Sequence, residues 1–264
     1  MKVNGVELHL GTGGPADGPA VVLLHGFPLD HRMWKPQFPV LEPKWRVVAP
    51  DFRGQGRSEV GDGQFTIEHL VDDLVGILDE LKIRRAVLVG LSMGGYVALR
   101  AVEREPGRVR ALVLADTKAP ADGNEAKVKR AAGMKKAKSE GSAAFADGFL
   151  KAALSPATLR DRPELVESAR KMMEGCTPLG IAGTLLALAA RGDMTESLAK
   201  VRVPAMVVCG EHDAITPPDD SRAMAAALKC RFESIPGAGH LSSMENPEAF
   251  NRLLVAFLDG LPAD

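Results

Sequence analysis

Short apolar runs without polar alternation recur along the chain, at residues 21–24, 45–49, 86–89, 109–115 and 205–209. Such runs suit parallel strands covered on both faces, because a strand with one face in water alternates. Between two of them, Leu70, Val71, Leu74, Ile77, Leu78 and Leu81 recur at helical spacing behind Thr66, a residue type that caps helix starts. This predicts an amphipathic helix lying on the sheet. Asn246 followed by Pro247 predicts another helix start, with Phe250, Leu253, Leu254, Phe257 and Leu258 as one apolar stripe, so the aromatic residues there belong to a core. Residues 1–10 alternate polar and apolar and read as a first strand, and Gly11-Thr12-Gly13-Gly14 reads as a hairpin-like turn between strands. The alternation of strand and helix stops between Lys118 and Ala199, where Ala, Lys, Glu, Leu and Met dominate and no strand pattern is visible. The expected architecture is an α/β fold, a mostly parallel sheet flanked by helices, formed by residues 1–117 and 200–264 with a helical insertion at 118–199.

Gly90-Leu91-Ser92-Met93-Gly94 follows the run at 86–89 directly and leads into helical periodicity from Tyr96. The flanking glycines allow a tight strand-to-helix turn, and Gly95 lets the helix start lie close to a neighbouring strand, which makes Ser92 the candidate nucleophile. A serine hydroxyl attacks only when a base takes its proton, and imidazole suits that task near neutrality. Among the six histidines, His240 is the candidate base, standing in Pro236-Gly237-Ala238-Gly239-His240 between the strand-like 231–235 and the last helix. His9, His31 and His69 read as surface residues, and His25 as the brace of a loop. The base needs a carboxylate to fix its tautomer. Asp213, after the run at 205–209, is the first choice, and Asp116, after the run at 109–115, is the alternative. An oxyanion needs two donors: the backbone N–H of Met93 at the helix start, and that of Phe27 in His25-Gly26-Phe27-Pro28 after the run at 21–24.

A length of 264 residues suits one α/β domain with an insertion, and 45% hydrophobic with 25% charged residues is the composition of a folded globular chain. A net charge of −1 offers no field for phosphate backbones. The basic run Lys127, Lys129, Arg130, Lys135, Lys136 and Lys138 has no interleaved aromatics and reads as a solvated helix face, so no nucleic-acid partner is expected. The longest apolar helix-like segment, 181–190, is about half the ~20 residues that cross a bilayer. The first residues lack the apolar stretch of a secretory signal, so a cytoplasmic protein without membrane contact is expected. Cys176, Cys209 and Cys230 have no metal or disulfide spacing and read as small buried hydrophobes; no metal or cofactor is expected.

The segments His25-Gly26-Phe27-Pro28 and Asp51-Phe52-Arg53-Gly54-Gln55-Gly56-Arg57-Ser58, with the Ser92 turn, the Asp213 loop and the His240 loop, together resemble α/β-hydrolase-fold enzymes over essentially the full chain. The resemblance implies Ser92 as nucleophile, Asp213 as acid, His240 as base, Phe27 and Met93 as oxyanion donors, and 118–199 as a helical cap. Within the family the motifs and short cap are similar to those of 3-oxoadipate enol-lactonases, small carboxylesterases and cofactor-free haloperoxidases (perhydrolases). A serine at the turn differs from the aspartate of haloalkane dehalogenases. The cap holds only Phe145 and Phe149 as aromatics, without the tryptophan of enol-lactonase caps, and its basic residues read as solvent-facing. The expected activity is therefore cofactor-independent hydrolysis of small neutral carboxylic esters, with enol-lactone hydrolysis, perhydrolase chemistry and a non-enzymatic small-molecule receptor as alternatives. Leu150, Leu154, Met172 and Met173 are divided between lining an acyl pocket and packing the cap on the core. The expected partner is a small-molecule ester or lactone, and a homo-oligomer is left open.

Overall fold

The computed structural model describes residues 1–262. The first segment is two strands rather than one: β1 (Lys2–Val3) and β2 (Val6–Glu7) pair antiparallel across Asn4-Gly5, which take φ of 47° and 82°. Asn-Gly is the pair that tolerates the left-handed conformations a two-residue hairpin needs, and it splits the run. Next come β3 (Leu10–Gly13), β4 (Ala20–Leu24), α1 (Phe38–Leu41), β5 (Arg46–Pro50), α2 (Ile67–Glu80), β6 (Ala86–Leu91), α3 (Met93–Arg104) and β7 (Val109–Ala115). The glycines expected to form a turn lie largely inside β3, where Gly11 pairs with Ala49 and Gly13 with Val47. They are small because other side chains cross the strand: a Cβ on Gly11 would lie 2.7 Å from His31 Cδ2, and one on Gly13 would meet the Glu42 carboxyl.

A helical stretch follows, with α4 (Asn124–Ala153), α5 (Pro156–Asp161), α6 (Pro163–Glu174) and α7 (Pro178–Ala190), and no strand among the described residues between β7 and β8. Gly141, at φ 86°, kinks α4. The chain closes with β8 (Ala205–Gly210), α8 (Pro218–Leu228), β9 (Arg231–Ile235), α9 (Ser242–Glu245) and α10 (Pro247–Asp259). The seven-stranded sheet runs β3-β5-β4-β6-β7-β8-β9, and every pair except β3 with β5 is parallel.

Both faces of the sheet are covered, which is why its strands read as unbroken apolar runs. Val22 and Leu24 of β4 join one apolar cluster with Leu70, Leu74 and Ile77 of α2; Val21 and Leu23 join the other with Phe250 and Leu254 of α10. Helix starts follow local rules. The Thr66 N–H donates to Nδ1 of His69 at 3.2 Å, and the Asn246 side chain accepts from the Ala249 N–H at 3.2 Å. His69 is exposed, as expected, and also serves this cap. Leu150, Leu154, Met172 and Met173 are all buried in the second cluster, so they pack the helical stretch onto the core. The Asp51–Ser58 motif ties that stretch to the sheet through Gln55 Nε2, which donates to Thr184 Oγ1 of α7 at 2.8 Å. No single helix among the described residues is long and apolar enough to cross a membrane.

Backbone packs closely on backbone where α3 starts. A Cβ on Gly94 would run into the carbonyl of Leu24 in β4, and one on Gly90 into the carbonyl of Gly94. Backbone there cannot yield as a flexible side chain does. Gly94→Ala is therefore expected to lower the unfolding free energy by about 1–3 kcal/mol, read from urea denaturation against the parent chain.

Candidate active site

Ser92 sits between β6 and α3 with φ 52° and ψ −112°, a conformation that costs a non-glycine residue about 1–3 kcal/mol. Two bonds hold it there: the Ser92 N–H donates to the Ala115 carbonyl at 2.9 Å, and Thr117 Oγ1 donates to the Ser92 carbonyl at 2.8 Å. The side chain is only 9% exposed. Asp213 follows β8 and His240 follows β9, so parallel strand order brings all three to the same edge of the sheet.

His240 is buried in a tethered loop, not a flexible one. Its N–H donates to the Ala153 carbonyl at 2.7 Å, and its Nδ1 lies 2.8 Å from Asp213 Oδ2. Asp213 also accepts from the N–H groups of Ile215 at 2.8 Å and Thr216 at 3.0 Å, and from Thr216 Oγ1 at 2.7 Å. Burial opposes its charge, yet His240 and the Thr216 donors outweigh burial and hold the carboxyl below its usual range. A carboxylate facing Nδ1 assigns the imidazole proton to that nitrogen. Nε2 is then the bare acceptor, and it is buried with no hydrogen-bond partner among the described residues. Ser92 Oγ makes no hydrogen bond to it. Asp116 does not reach His240; its carboxyl bonds the Gly210 N–H and Ser242 Oγ.

The His25-Gly26-Phe27 loop runs beside the serine, since a Cβ on Gly26 would lie 3.5 Å from Ser92 Cβ. His25 Nε2 accepts from the Phe52 N–H at 3.0 Å, and burial lowers its proton affinity, so a neutral ring braces the loop. The backbone N–H groups of Phe27 and Met93 donate to nothing among the described residues. His31 is not a free surface residue: its N–H and Nδ1 lie 2.8 and 2.7 Å from Oδ1 of the buried Asp51. Burial opposes the Asp51 charge, but these bonds and the Arg57 N–H keep its carboxyl below the usual range. Burial pushes the Cys176 thiol up to about 12, so it is no nucleophile at neutral pH.

A cavity of about 260 Å³ lies between the helical stretch and the sheet edge, lined by Phe27, Tyr96, Lys118, Asp122, Arg130, Phe145, Phe149 and Thr216 among others. Phe27 meets Phe145 and Phe149 edge-on, with ring centroids 5.7 and 6.0 Å apart. The two phenylalanines of α4 therefore form a cluster with the loop beside Ser92. The basic run is not wholly a solvated face either, because Lys129 and Arg130 line this cavity. Arg130 and Arg191 both pair with Asp122, at 3.0 and 3.1 Å, and Lys129 pairs with Glu125 at 2.8 Å. Lys118 has no ion pair among the described residues.

The family model for the alpha/beta hydrolase fold matches residues 19–247. The chain belongs to the α/β-hydrolase family. A thermophilic esterase from Thermogutta terrifontis, solved with malate bound, is 37% identical with a TM-score of 0.94, covering 100% of this chain and 97% of that one. The enol-lactonase from Burkholderia xenovorans LB400 is 33% identical with a TM-score of 0.92, over 97% of this chain and 98% of that one. The 3-oxoadipate enol-lactonase 1 of Acinetobacter baylyi is 29% identical over 97% of this chain and 95% of its own length. This α/β-hydrolase is thus a hydrolase by family, close to esterases and enol-lactonases.

Three supporting residues of this α/β-hydrolase carry no motif signal. Thr216 holds Asp213, and Thr117 holds the Ser92 carbonyl. Glu245 accepts from the N–H groups of Ser155, Gly239 and Leu241 at 2.8, 3.0 and 3.2 Å, and so grips both sides of His240. Thr117 and Ser155 meet groups 25 and 90 residues away and so leave no local pattern, while Thr216 and Glu245, close in sequence to Asp213 and His240, belong to no motif; only a charged residue on the first turn after the histidine hints at Glu245. Glu245→Ala leaves three amides without acceptors and is expected to cost about 3 kcal/mol or more of stability, measured by chemical denaturation.

Proposed function

We propose that this α/β-hydrolase cleaves small carboxylic esters through an acyl-enzyme, with residues 118–199 as a cap over a core of 1–117 and 200–264. Ser92 Oγ attacks the ester carbonyl while His240 Nε2 takes its proton, and the N–H groups of Phe27 and Met93 receive the oxyanion. Asp213 holds the imidazole and stabilises its cationic form. The imidazolium then returns the proton to the departing alcohol, and a water molecule repeats the sequence on the acyl group to release the acid. One observation carries the reading: a buried imidazole, anchored through Nδ1 on a carboxylate, keeps an unpartnered Nε2. A purely structural histidine would satisfy that nitrogen. No cofactor enters any step.

The test is a fluorophosphonate probe with p-nitrophenyl esters of increasing acyl length. Stoichiometric labelling of Ser92, lost in Ser92→Ala, is expected, together with a kcat reduced by up to about 10⁴-fold in Asp213→Asn. An unlabelled parent chain that still binds small molecules would favour a receptor.

A second reading, an ester or lactone bearing a remote carboxylate, is favoured by Lys118. It lines the cavity half-buried and makes no ion pair among the described residues, whereas Lys129 pairs with Glu125 and Arg130 and Arg191 share Asp122. The similar esterase solved with malate, a dicarboxylate, and the similar enol-lactonases support it. The Phe27, Phe145 and Phe149 rings supply the apolar wall for the rest of such a molecule. Lys118→Met is expected to raise KM for a monoester of a dicarboxylic acid about tenfold relative to KM for a neutral ester of equal length; an unchanged ratio removes this reading.

A further inference from the structure

Asp116 and Asp213 are both buried at the sheet edge, and of the two only Asp213 faces His240. Asp116 follows β7 with φ 48° and is fully buried. Its N–H donates to the Val208 carbonyl at 2.9 Å, its Oδ1 accepts from the Gly210 N–H at 2.7 Å, and its Oδ2 is hydrogen-bonded to Ser242 Oγ. Gly210 stands three residues before Asp213, and Ser242 two residues after His240. A single side chain therefore spans the loop that carries the acid and the loop that carries the base.

Asp116 and Asp213 each have an oxygen within 4.8 Å of the other and of Cys209 Sγ. Asp213 has an imidazole and three further donors; Asp116 has an amide and a hydroxyl, and no ion pair among the described residues. Two carboxylates so close in a dry site do not both ionise readily, and the one with fewer donors keeps the proton.

We propose that Asp116 is a positioning residue that works as a neutral carboxylic acid: Oδ1 takes the Gly210 amide, Oδ2–H donates to Ser242 Oγ, and Asp213 remains the single anion facing His240. This rests on the reading of Ser92, Asp213 and His240 as the reacting set. The titratable groups around Asp116 agree. Burial, then the Asp213 charge, and more weakly Glu245 lift its carboxyl well above the usual range, while the Ser242 and Gly210 bonds oppose them. Cys209 stays a neutral thiol, because burial raises its proton affinity as well. Glu245 is engaged by the two amides flanking His240 and by that of Ser155.

Asparagine reproduces the neutral acid, with Oδ1 as acceptor and Nδ2–H as donor. Asp116→Ala is expected to lower kcat about tenfold or more with KM within about threefold, and Asp116→Asn to restore kcat to within about fivefold of the parent. The decisive reading is the acid limb of kcat/KM. An ionised Asp116 would favour the protonated imidazole, so its removal would move that limb to lower pH; a neutral one leaves it in place. A limb in Asp116→Asn within about 0.2 pH unit of the parent supports the proposal, and a shift of about half a unit or more overturns it. A kcat loss in Asp116→Asn as large as in Asp213→Asn also overturns it, since Asp116 would then serve as the acid. Should Asp116→Ala fail to fold, Ser242→Ala cuts one end of the bridge: a kcat reduced about threefold or more at constant KM supports the link, and an unchanged kcat overturns it. Fluorophosphonate labelling of Ser92 in the parent separates the two readings. Without labelling, the serine-hydrolase reading falls and takes this one with it; with labelling and a shifted limb, only the role of Asp116 falls.

Discussion

Backbone meets backbone where the central strands of the sheet end, and the rest of the site depends on that contact. The start of α3 presses on β4 and β6 so closely that Gly90 and Gly94 have no room for a Cβ. With the helix axis pinned there, the residue between strand and helix is forced to a positive φ, and Ser92 stands out from the sheet edge on a turn too short to relax. The same contact puts the free N–H of Met93 at a helix start, where the backbone dipole favours negative charge. The loop after β4 passes beside this turn, where a Cβ on Gly26 would touch Ser92 Cβ at 3.5 Å. One steric constraint thus aligns the serine with two unengaged donors.

The other half of the site is an exercise in satisfying buried polar groups. Away from water, each amide and carboxyl near His240 must find a partner within the protein. Glu245 takes three amides, Thr216 supplies two donors to Asp213, and Asp116 joins the ends of two loops. Against that background the bare Nε2 of His240 stands out, because the same ring is anchored through Nδ1 on Asp213. Asp213 and Asp116 differ less in burial than in the number and charge of their donors, and this difference pushes their proton affinities in opposite directions.

The cavity combines an apolar end with a polar one. Three phenylalanines, one from the loop beside Ser92 and two from α4, set a wall suited to an acyl chain or ring. The lining also carries Lys118, Arg130 and Asp122; Arg191, outside the lining, reaches Asp122 with its guanidinium 4.1 Å from the Tyr96 ring centre. Arg130 and Arg191 share the one Asp122 carboxylate, and the half-buried Lys118 makes no ion pair among the described residues. The pocket thus sets an apolar wall beside a cluster of cationic side chains.

Much of the fold was legible along the chain because its signals are local. Apolar runs reported strands buried on both faces, helical spacing behind Thr66 and Asn246 reported α2 and α10, and the glycines around Ser92 reported a strand-to-helix turn. The errors were also local: Asn4-Gly5 carried a hairpin signal that alternation masked, and the glycines of β3 resembled a turn because the side chains crossing them, His31 and Glu42, come from later segments. The candidate site was legible only as a set of separate residues at the ends of separate strands. Which carboxyl meets His240, which stays behind to bridge two loops, and which cation in the pocket lacks a partner were decided by tertiary structure. Residues such as Ser155 and Glu245, 90 positions apart, meet through a strand order that departs from chain order. Pattern in a sequence reports period and turn chemistry over a few residues; pairing between buried groups depends on distances that only the assembled sheet sets.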